Sequence, residues 1–130
     1  MIEVYIDGAS AGDPGPSGAG IFIKRGNGET ESYSVPLGIM SNHEAEFHSL
    51  VNALAHCLKQ GYQIVSFRTD SQAVERAVEK RFAKDARYEP LLQEALGLID
   101  QLQLFFIKWI PSKQNKQADK LARKAILLKR

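Results

Sequence analysis

The chain has 130 residues, of which 44% are hydrophobic and 25% are charged. This is the composition of a globular protein with one hydrophobic core, and it argues against a disordered chain. No apolar run reaches the roughly 18 residues of a membrane span, and the N-terminus has neither the basic segment nor the apolar stretch of a signal peptide. We therefore expect a single domain over residues 1–130 that is soluble, cytoplasmic and, by default, monomeric.

The formal net charge is only +2, but the charge is unevenly distributed along the chain. From Ser112 onward there are seven Lys or Arg residues and one acid, so this tail carries +6 and the rest of the chain −4. Such a tail is either a solvated helix face or a contact for a polyanion such as nucleic acid. Charge alone does not decide between the two interpretations.

The first three elements in chain order are strand-like. They cover residues 2–7, 18–25 and 30–37, and Pro36 is expected to mark the end of the third. The sequence GNG at 26–28 predicts a turn between the second and third strands. Three consecutive strands with short connections indicate an antiparallel meander.

Helical and strand patterns then alternate. From residue 41 onward, apolar residues recur at helical spacing until Gly61 ends the run, and the single cysteine, Cys57, lies on this apolar face as a predicted buried thiol. The later elements are predicted as a strand at 63–70, helices at 71–80 and 88–102, a strand at 103–111 and a helix at 115–128. The order βββαβααβα predicts an α/β fold with a mixed sheet and helices on the sheet faces.

Two acids stand at strand ends. Asp7 ends the first strand and Asp70 ends the fourth, so parallel pairing of these strands would bring both carboxylates to the sheet edge where ligands bind in α/β proteins. Each acid also has a structural interpretation. Asp7 could initiate a turn, and Asp70 could cap the helix that begins at Ser71.

Two further acids lie on predicted helices. Ser41 and Glu44 fit a capping box, which gives Glu44 a structural role. Glu46 has no such role and lies along the edge of the buried face, where an acid is costly unless it is paired or bound to metal. Asp119 is the one acid of the basic tail, and early in its helix it would also complement the helix dipole.

Taken together, four carboxylates without a His or Cys cluster favour Mg²⁺ or Mn²⁺ over zinc. Crowded carboxylates repel each other unless cations neutralise them, and two cations about 3.5–4 Å apart are a standard arrangement for cleaving phosphodiesters. The glycine-rich stretch after Asp7 matches no nucleotide-triphosphate motif. It is either a flexible hairpin connection or a place where a nucleic-acid backbone approaches closely.

The chain resembles the ribonuclease H type I family, and more narrowly its compact bacterial and archaeal members. The resemblance runs from about Ile2 to Lys124 and is carried by four ordered segments, DGASAGDPGPSGAG, SNHEAEFHSL, RTDSQAV and NKQADKLARKA. It implies a ribonuclease H-like fold whose five-stranded mixed sheet has the order 3-2-1-4-5, with helices on both faces. It also implies cleavage of the RNA strand of RNA–DNA hybrids with two divalent metal ions, leaving 5′-phosphate and 3′-hydroxyl ends.

The resemblance also assigns residues. The family's four metal-binding carboxylates fall on Asp7, Glu46, Asp70 and Asp119. Contacts with the backbone and the minor groove of the substrate fall on Gly8, Gly12, Asn42 and Gln72, and discrimination of RNA there would rest on 2′-hydroxyl contacts.

The chain also departs from the family pattern. Asp13 and His43 stand where the family usually has asparagine, the loop before Asp119 is short and has no histidine, and the basic protrusion of larger members is missing. An anion at Asp13 would weaken binding if it faces a phosphate. We expect weaker hybrid binding. The cations expected to compensate are Lys113, Lys116, Lys120 and Arg123.

Three functions remain open from the sequence. The first is a metal-dependent ribonuclease H. The second is a weakly active or catalytically silent nucleic-acid-binding protein of the same fold, which the departures favour and the four retained carboxylates disfavour. The third is a recombination or transposition nuclease, which ranks lowest because 130 residues leave no room for a separate DNA-recognition domain.

Overall fold

The fold is that of a computed structural model in which residues 1–128 are described. The strands are β1 (Ile2–Ser10), β2 (Gly15–Lys24), β3 (Thr30–Met40), β4 (Ile64–Thr69) and β5 (Leu104–Trp109). The α-helices are α1 (Asn42–Gln60), α2 (Gln72–Lys80), α3 (Glu89–Ile99) and α4 (Lys116–Ile126), and short 3₁₀ helices cover Ala86–Tyr88 and Ser112–Gln114. The expectation of one domain over 1–130 stays a prediction, since residues 129 and 130 lie outside the described part.

The five strands form one mixed sheet in the order β3-β2-β1-β4-β5. β2 pairs antiparallel with β1 and with β3, which confirms the meander, whereas β4 pairs parallel with β1 and with β5. The parallel pairs place the carboxyl ends of β1, β4 and β5 at the same edge of the sheet. The predicted order of elements and of strands is therefore confirmed.

Two predictions of where a strand ends are wrong. Asp7 does not end the first strand, because β1 continues to Ser10. Pro36 does not end the third strand, because β3 continues to Met40. β3 lies at the edge of the sheet, where a proline can be accommodated without removing a central ladder hydrogen bond. The pairing of β2 with β3 shifts register between Ser17 and Gly18, and Gly38 beyond the shift has a positive φ of 91°.

The helices lie on both faces of the sheet. α1, α2 and α3 contribute to a core with the strands that includes Val4, Phe67 and Leu50, whereas α4 packs on the opposite face against β1, β2 and β3. Gly20 permits this close approach, because a Cβ atom there would lie 2.0 Å from the carbonyl oxygen of Ala118.

The helix caps settle one alternative. Ser41 caps α1 by accepting a hydrogen bond from the backbone N–H of Glu44 at 3.1 Å. Ser71 caps α2 in the same way, with the N–H of Val74 at 3.1 Å. Asp70 is therefore not the cap of α2, so the structural interpretation of this acid is wrong.

Two further expectations concern burial and membranes. Cys57 is fully buried, and burial followed by the charge of Glu31 raises the pKa of its thiol to about 12, as suits a structural thiol. Within residues 1–128, no helix has the length and apolar character needed to cross a bilayer.

Candidate active site

The four predicted carboxylates come from four elements that meet at the carboxyl ends of β1 and β4. Asp7 lies within β1, and Asp70 follows the last residue of β4 directly. Glu46 lies in the second turn of α1 and Asp119 in the first turn of α4. Because α1 and α4 pack on opposite faces of the sheet, their acids approach Asp7 from opposite sides.

Asp7 is the most strongly perturbed of the four acids. Only 8% of the residue is exposed, and the pKa of its carboxyl group is raised to about 9, with burial as the largest cause. The charges of Asp70 and Asp119, a hydrogen bond with Asp119 and the charge of Glu46 add to this rise. The structure therefore brings all four carboxylates within electrostatic reach of one another.

Glu46 is a buried acid with a partner of its own. Its side chain is 14% exposed, and its Oε1 lies 3.0 Å from Nδ1 of His43, one turn earlier in α1. Burial raises the pKa of Glu46, hydrogen bonds from His43 and Ser71 lower it, and the charge of Asp70 raises it again, so the net shift is upward. His43, one of the departures from the family pattern, thus contacts one of the four acids.

Asp119 is held by a cation. Both of its carboxylate oxygens accept hydrogen bonds at 3.1 Å from Nε of Arg123, one turn later in α4. Arg123, one of the cations expected to compensate for weak substrate binding, therefore contacts one of the four acids, and its role toward substrate stays a prediction. Within residues 1–128, no three or more His, Cys, Asp or Glu side chains are gathered into a ready metal-holding group.

Two residues that the sequence analysis missed hold this edge together. Asn115 is fully buried, and its Nδ2 donates to the carbonyl oxygen of Ile6 at 2.9 Å, while its own backbone carbonyl accepts the N–H of Asp119 at 3.1 Å. It therefore connects the residue before Asp7 to the first turn of α4. Its Oδ1 is the one buried side-chain polar atom without a hydrogen-bond partner among the described residues.

Trp109 is the second missed residue. Its indole N–H donates to the carbonyl oxygen of Asp70 at 3.1 Å, while 42% of the residue stays exposed. The bond ties the end of β5 to the residue after β4. The available sequence signals were a tryptophan at a predicted strand end and an asparagine at a predicted helix start.

The predicted glycine contacts lie in and after β1. Gly8 lies in β1 against the backbone of α1, where a Cβ atom would be 2.3 Å from the carbonyl of Ala45 and 2.4 Å from the nitrogen of Glu46. This packing requires glycine whether or not substrate approaches. Gly12 lies in the exposed turn that follows β1.

The remaining predicted substrate residues are all exposed, as a contact surface requires. Asp13 lies in the turn before β2, joined to Pro14 by a cis peptide bond. The pKa of Arg87 is raised mainly by its hydrogen bond with Asp85, and the charge of Asp13 adds to this rise. The others lie at or just before the starts of helices, at the edge of the sheet where the acids lie. They are Asn42 and Gln72, the first residues of α1 and α2, and Lys113 and Lys116 around the start of α4.

Residues 5–125 match the family described as reverse transcriptase-like. The chain belongs to that family. It is a ribonuclease H-like domain by both sequence and fold, because its relatives include ribonucleases HI and its fold is that of solved RNase H1 structures.

Three similarities illustrate this. The chain is 41% identical over 128 residues to EbsB of Enterococcus faecalis, covering 97% of this chain and 94% of EbsB, whose name assigns no substrate. The crystal structure of RNase H1 from the archaeon Halobacterium salinarum superposes with a TM-score of 0.90 at 29% identity, covering 96% of each chain. LC11-RNase H1 in complex with an RNA/DNA hybrid superposes with a TM-score of 0.88 at 26% identity, covering 97% of this chain and 96% of that one. The expected fold is confirmed.

Proposed function

We propose that this ribonuclease H-like domain is a metal-dependent endonuclease that cleaves the RNA strand of RNA–DNA hybrids. The observation that carries the proposal is the convergence of Glu46, Asp70 and Asp119 on the buried Asp7, whose pKa is raised to about 9 by burial and by these three acids. A buried group of acids is costly for the fold, and such strongly perturbed groups concentrate at functional sites.

Divalent metal ions fit the donor chemistry of this site. All four groups are hard oxygen donors, which suit Mg²⁺ or Mn²⁺, and a bound cation would reverse the repulsion that keeps a proton on Asp7. The side chains that would hold two such ions are those of Asp7, Glu46, Asp70 and Asp119. Asp119 also contacts Arg123 and Glu46 also contacts His43, so two of these acids have a second partner beside the site.

The ions would supply Lewis-acid stabilisation of the phosphoryl oxygens and of the water used in hydrolysis, leaving 5′-phosphate and 3′-hydroxyl ends. The protein's own residues hold the acids in position. Asn115 donates a hydrogen bond to the backbone just before Asp7, and Trp109 donates one to the backbone of Asp70. His43 Nδ1 and Glu46 Oε1 are hydrogen-bonded to each other. This imidazole is 63% exposed, so it lies between Glu46 and solvent.

A hybrid substrate is supported by two findings. A protein of the same fold, similar over nearly the whole chain, was crystallised in complex with an RNA/DNA hybrid. In this chain, Asn42 and Gln72 lie exposed at the starts of α1 and α2, flanking the acids. These side chains are suited to hydrogen bonds with the 2′-hydroxyls of a hybrid minor groove.

The test is cleavage of an end-labelled RNA–DNA hybrid in Mg²⁺ and then in Mn²⁺. Asp70→Asn removes one acid with little change of shape and should abolish cleavage. Asp100→Asn is the matched control, because Asp100 is an exposed acid whose partner is Arg81. Metal-dependent products from the wild type and from Asp100→Asn, but not from Asp70→Asn, would support the enzyme.

A catalytically silent hybrid-binding protein is the second candidate. It is favoured by the engagement of Asp119 with Arg123 and by the lack of a ready metal-holding group within residues 1–128. Folded protein that binds the hybrid but yields no products in either metal would select this second function.

A further inference from the structure

One half of the sheet is left uncovered on the face where α4 packs. α4 contacts β1, β2 and β3. The strand register shows which side chains lie next to α4 on the same face of the sheet. Tyr5 pairs with Phe22 and with Arg68, and Arg68 pairs with Lys108, so these side chains form one row across four strands. The next row runs from Lys24 through Glu3 to Phe106. We call the six residues Tyr5, Phe22, Lys24, Arg68, Phe106 and Lys108 the open sheet face.

This face is positively charged. Its rows hold three cations, Lys24, Arg68 and Lys108, against one acid, Glu3, which forms an ion pair of 3.0 Å with Arg68. Neither lysine has an ion-pair partner within residues 1–128. At the border with α4, Lys113 and Lys116 join Tyr5 and Phe22 around a cavity of about 310 Å³.

Aromatic rings lie between these cations. The Nζ atom of Lys24 lies 5.2 Å, and Cζ of Arg68 5.5 Å, from the centre of the Tyr5 ring, and the Phe22 ring lies 6.1 Å from it. Arg68 is fixed in place because it also donates to the Tyr5 hydroxyl at 3.1 Å. Phe106 is 48% exposed on the outer strand. Cations interleaved with accessible rings are the pattern of surfaces that bind single-stranded nucleic acid.

The open sheet face also adjoins the candidate active site. Asp7 follows Tyr5 by two residues in β1, and Asp70 follows Arg68 by two residues beyond β4. Two residues of a strand span about 7 Å, so a chain that passes the acids reaches the face within one or two nucleotides. Alternation along β1 places Tyr5 and Asp7 on the same side of the sheet.

We propose that the open sheet face binds a single-stranded extension of the substrate, so that hybrids carrying an unpaired tail are the preferred substrates. The preference rests on the proposed ribonuclease function, whereas binding of the strand itself does not. An unpaired strand fits better than a duplex because only unpaired bases offer their flat faces to Phe106 and Phe22.

The experiment compares two lysine pairs in the full chain. Lys24→Gln/Lys108→Gln removes two cations of the face. Lys59→Gln/Lys80→Gln removes two exposed lysines from the ends of α1 and α2, on the other side of the sheet. Circular dichroism confirms that each variant is folded. Phe106→Ala tests the stacking ring separately.

Two readouts follow. Fluorescence anisotropy measures binding of labelled single-stranded RNA and DNA against salt concentration. Kinetics measure KM for a blunt hybrid and for hybrids that carry an RNA or a DNA tail. The wild type should show a KM about fivefold lower for a tailed hybrid, the effect expected from one stacked base, and the kind of tail that lowers KM identifies the strand bound.

In the Lys24→Gln/Lys108→Gln variant, the salt dependence of single-strand binding should become shallower by about 1.4 in log–log slope, since each cation contributes roughly 0.7. Its KM for the blunt hybrid should stay at the wild-type value, and Phe106→Ala should remove most of the tail effect. Equal KM values for blunt and tailed hybrids in the wild type, or equal losses in both lysine pairs, would overturn the proposal. If no hybrid is cleaved at all, the proposed function fails, and the anisotropy series still decides whether the face binds a strand.

Discussion

Replacing Gly8 with alanine tests how α1 is held against β1. A Cβ atom at this position would lie 2.3 Å from the carbonyl of Ala45 and 2.4 Å from the nitrogen of Glu46, both of which are backbone atoms. Ordinary contacts of a Cβ atom begin near 3.4 Å, so α1 must retreat by about 1 Å. Backbone cannot move aside as a flexible side chain would, so the start of α1 must shift and carry Glu46 with it.

The expected cost has two parts. Overpacking of this kind costs about 1–3 kcal/mol of unfolding free energy, which lowers Tm by about 4–12 °C in a chain of this size. A displacement of roughly 1 Å of a catalytic group can reduce kcat by about 10²-fold. Differential scanning calorimetry in EDTA measures the first effect, and single-turnover cleavage of a hybrid measures the second.

Gly97→Ala is the matched control. Gly97 lies in α3, where an added Cβ atom would meet no other part of the fold within 4 Å. Alanine there should raise Tm, since it favours a helix over glycine by about 1 kcal/mol. If Gly8→Ala has the wild-type Tm but loses activity, Gly8 acts through substrate rather than through packing. If both Tm and kcat are unchanged, the reasoning about the contact between β1 and α1 is refuted.

Three further predictions concern the acids and their supports. The folded-state pKa of Asp7 is raised from 3.8 to about 9, so folding takes up a proton between these pH values. The stability of the metal-free protein should therefore fall as pH rises from about 4 to about 9. Asp7→Asn should flatten this dependence in urea titrations with EDTA. Asn115→Ala should lower the free energy of unfolding by about 1–3 kcal/mol, because the carbonyl of Ile6 loses its hydrogen-bond donor. The same change should weaken Mn²⁺ binding, measured by calorimetry. Asn52→Ala, which removes a 2.8 Å hydrogen bond donated by the side-chain amide to the carbonyl oxygen of His48 within α1, should leave Mn²⁺ affinity unchanged, and equal losses would contradict the positioning role of Asn115. At Glu31, burial raises the pKa, but hydrogen bonds from tyrosine and histidine side chains outweigh burial and lower it overall. The ionised carboxylate therefore stabilises the fold, and this stabilisation should be lost as pH falls below about 4.5. Glu31→Gln should remove that pH dependence without changing cleavage.

Local patterns in the sequence were enough to predict the order of elements, whereas the strand order was implied by the resemblance to the ribonuclease H family. The alternation in β1 and β2 and the helical spacing in α1 depend on residues a few positions apart, and so do the Gly61 and Ser41 helix ends. Such signals are strong because each is repeated over a whole element. The four acids were also noticed from their positions at strand ends and on helices, and the resemblance to the family assigned them as its metal-binding carboxylates.

The sequence misjudged features that depend on neighbours across the fold. Pro36 was expected to end β3, but the edge position of that strand, visible only in the sheet, allows the strand to continue. Asp70 and Ser71 both suit a helix cap, and only the backbone path shows that Ser71 takes the role.

The sequence by itself determined the α/β architecture and the identity of the acids, because periodicity, caps and motif spacing are short-range properties of the chain. The tertiary structure alone decided what surrounds those acids. The bond from Asn115 to Ile6 joins residues 109 positions apart, and the approach of Glu46 to Asp7 depends on the missing side chain of Gly8. Such contacts arise only when distant segments pack, because burial and close approach are properties of the assembled sheet and helices rather than of any one segment.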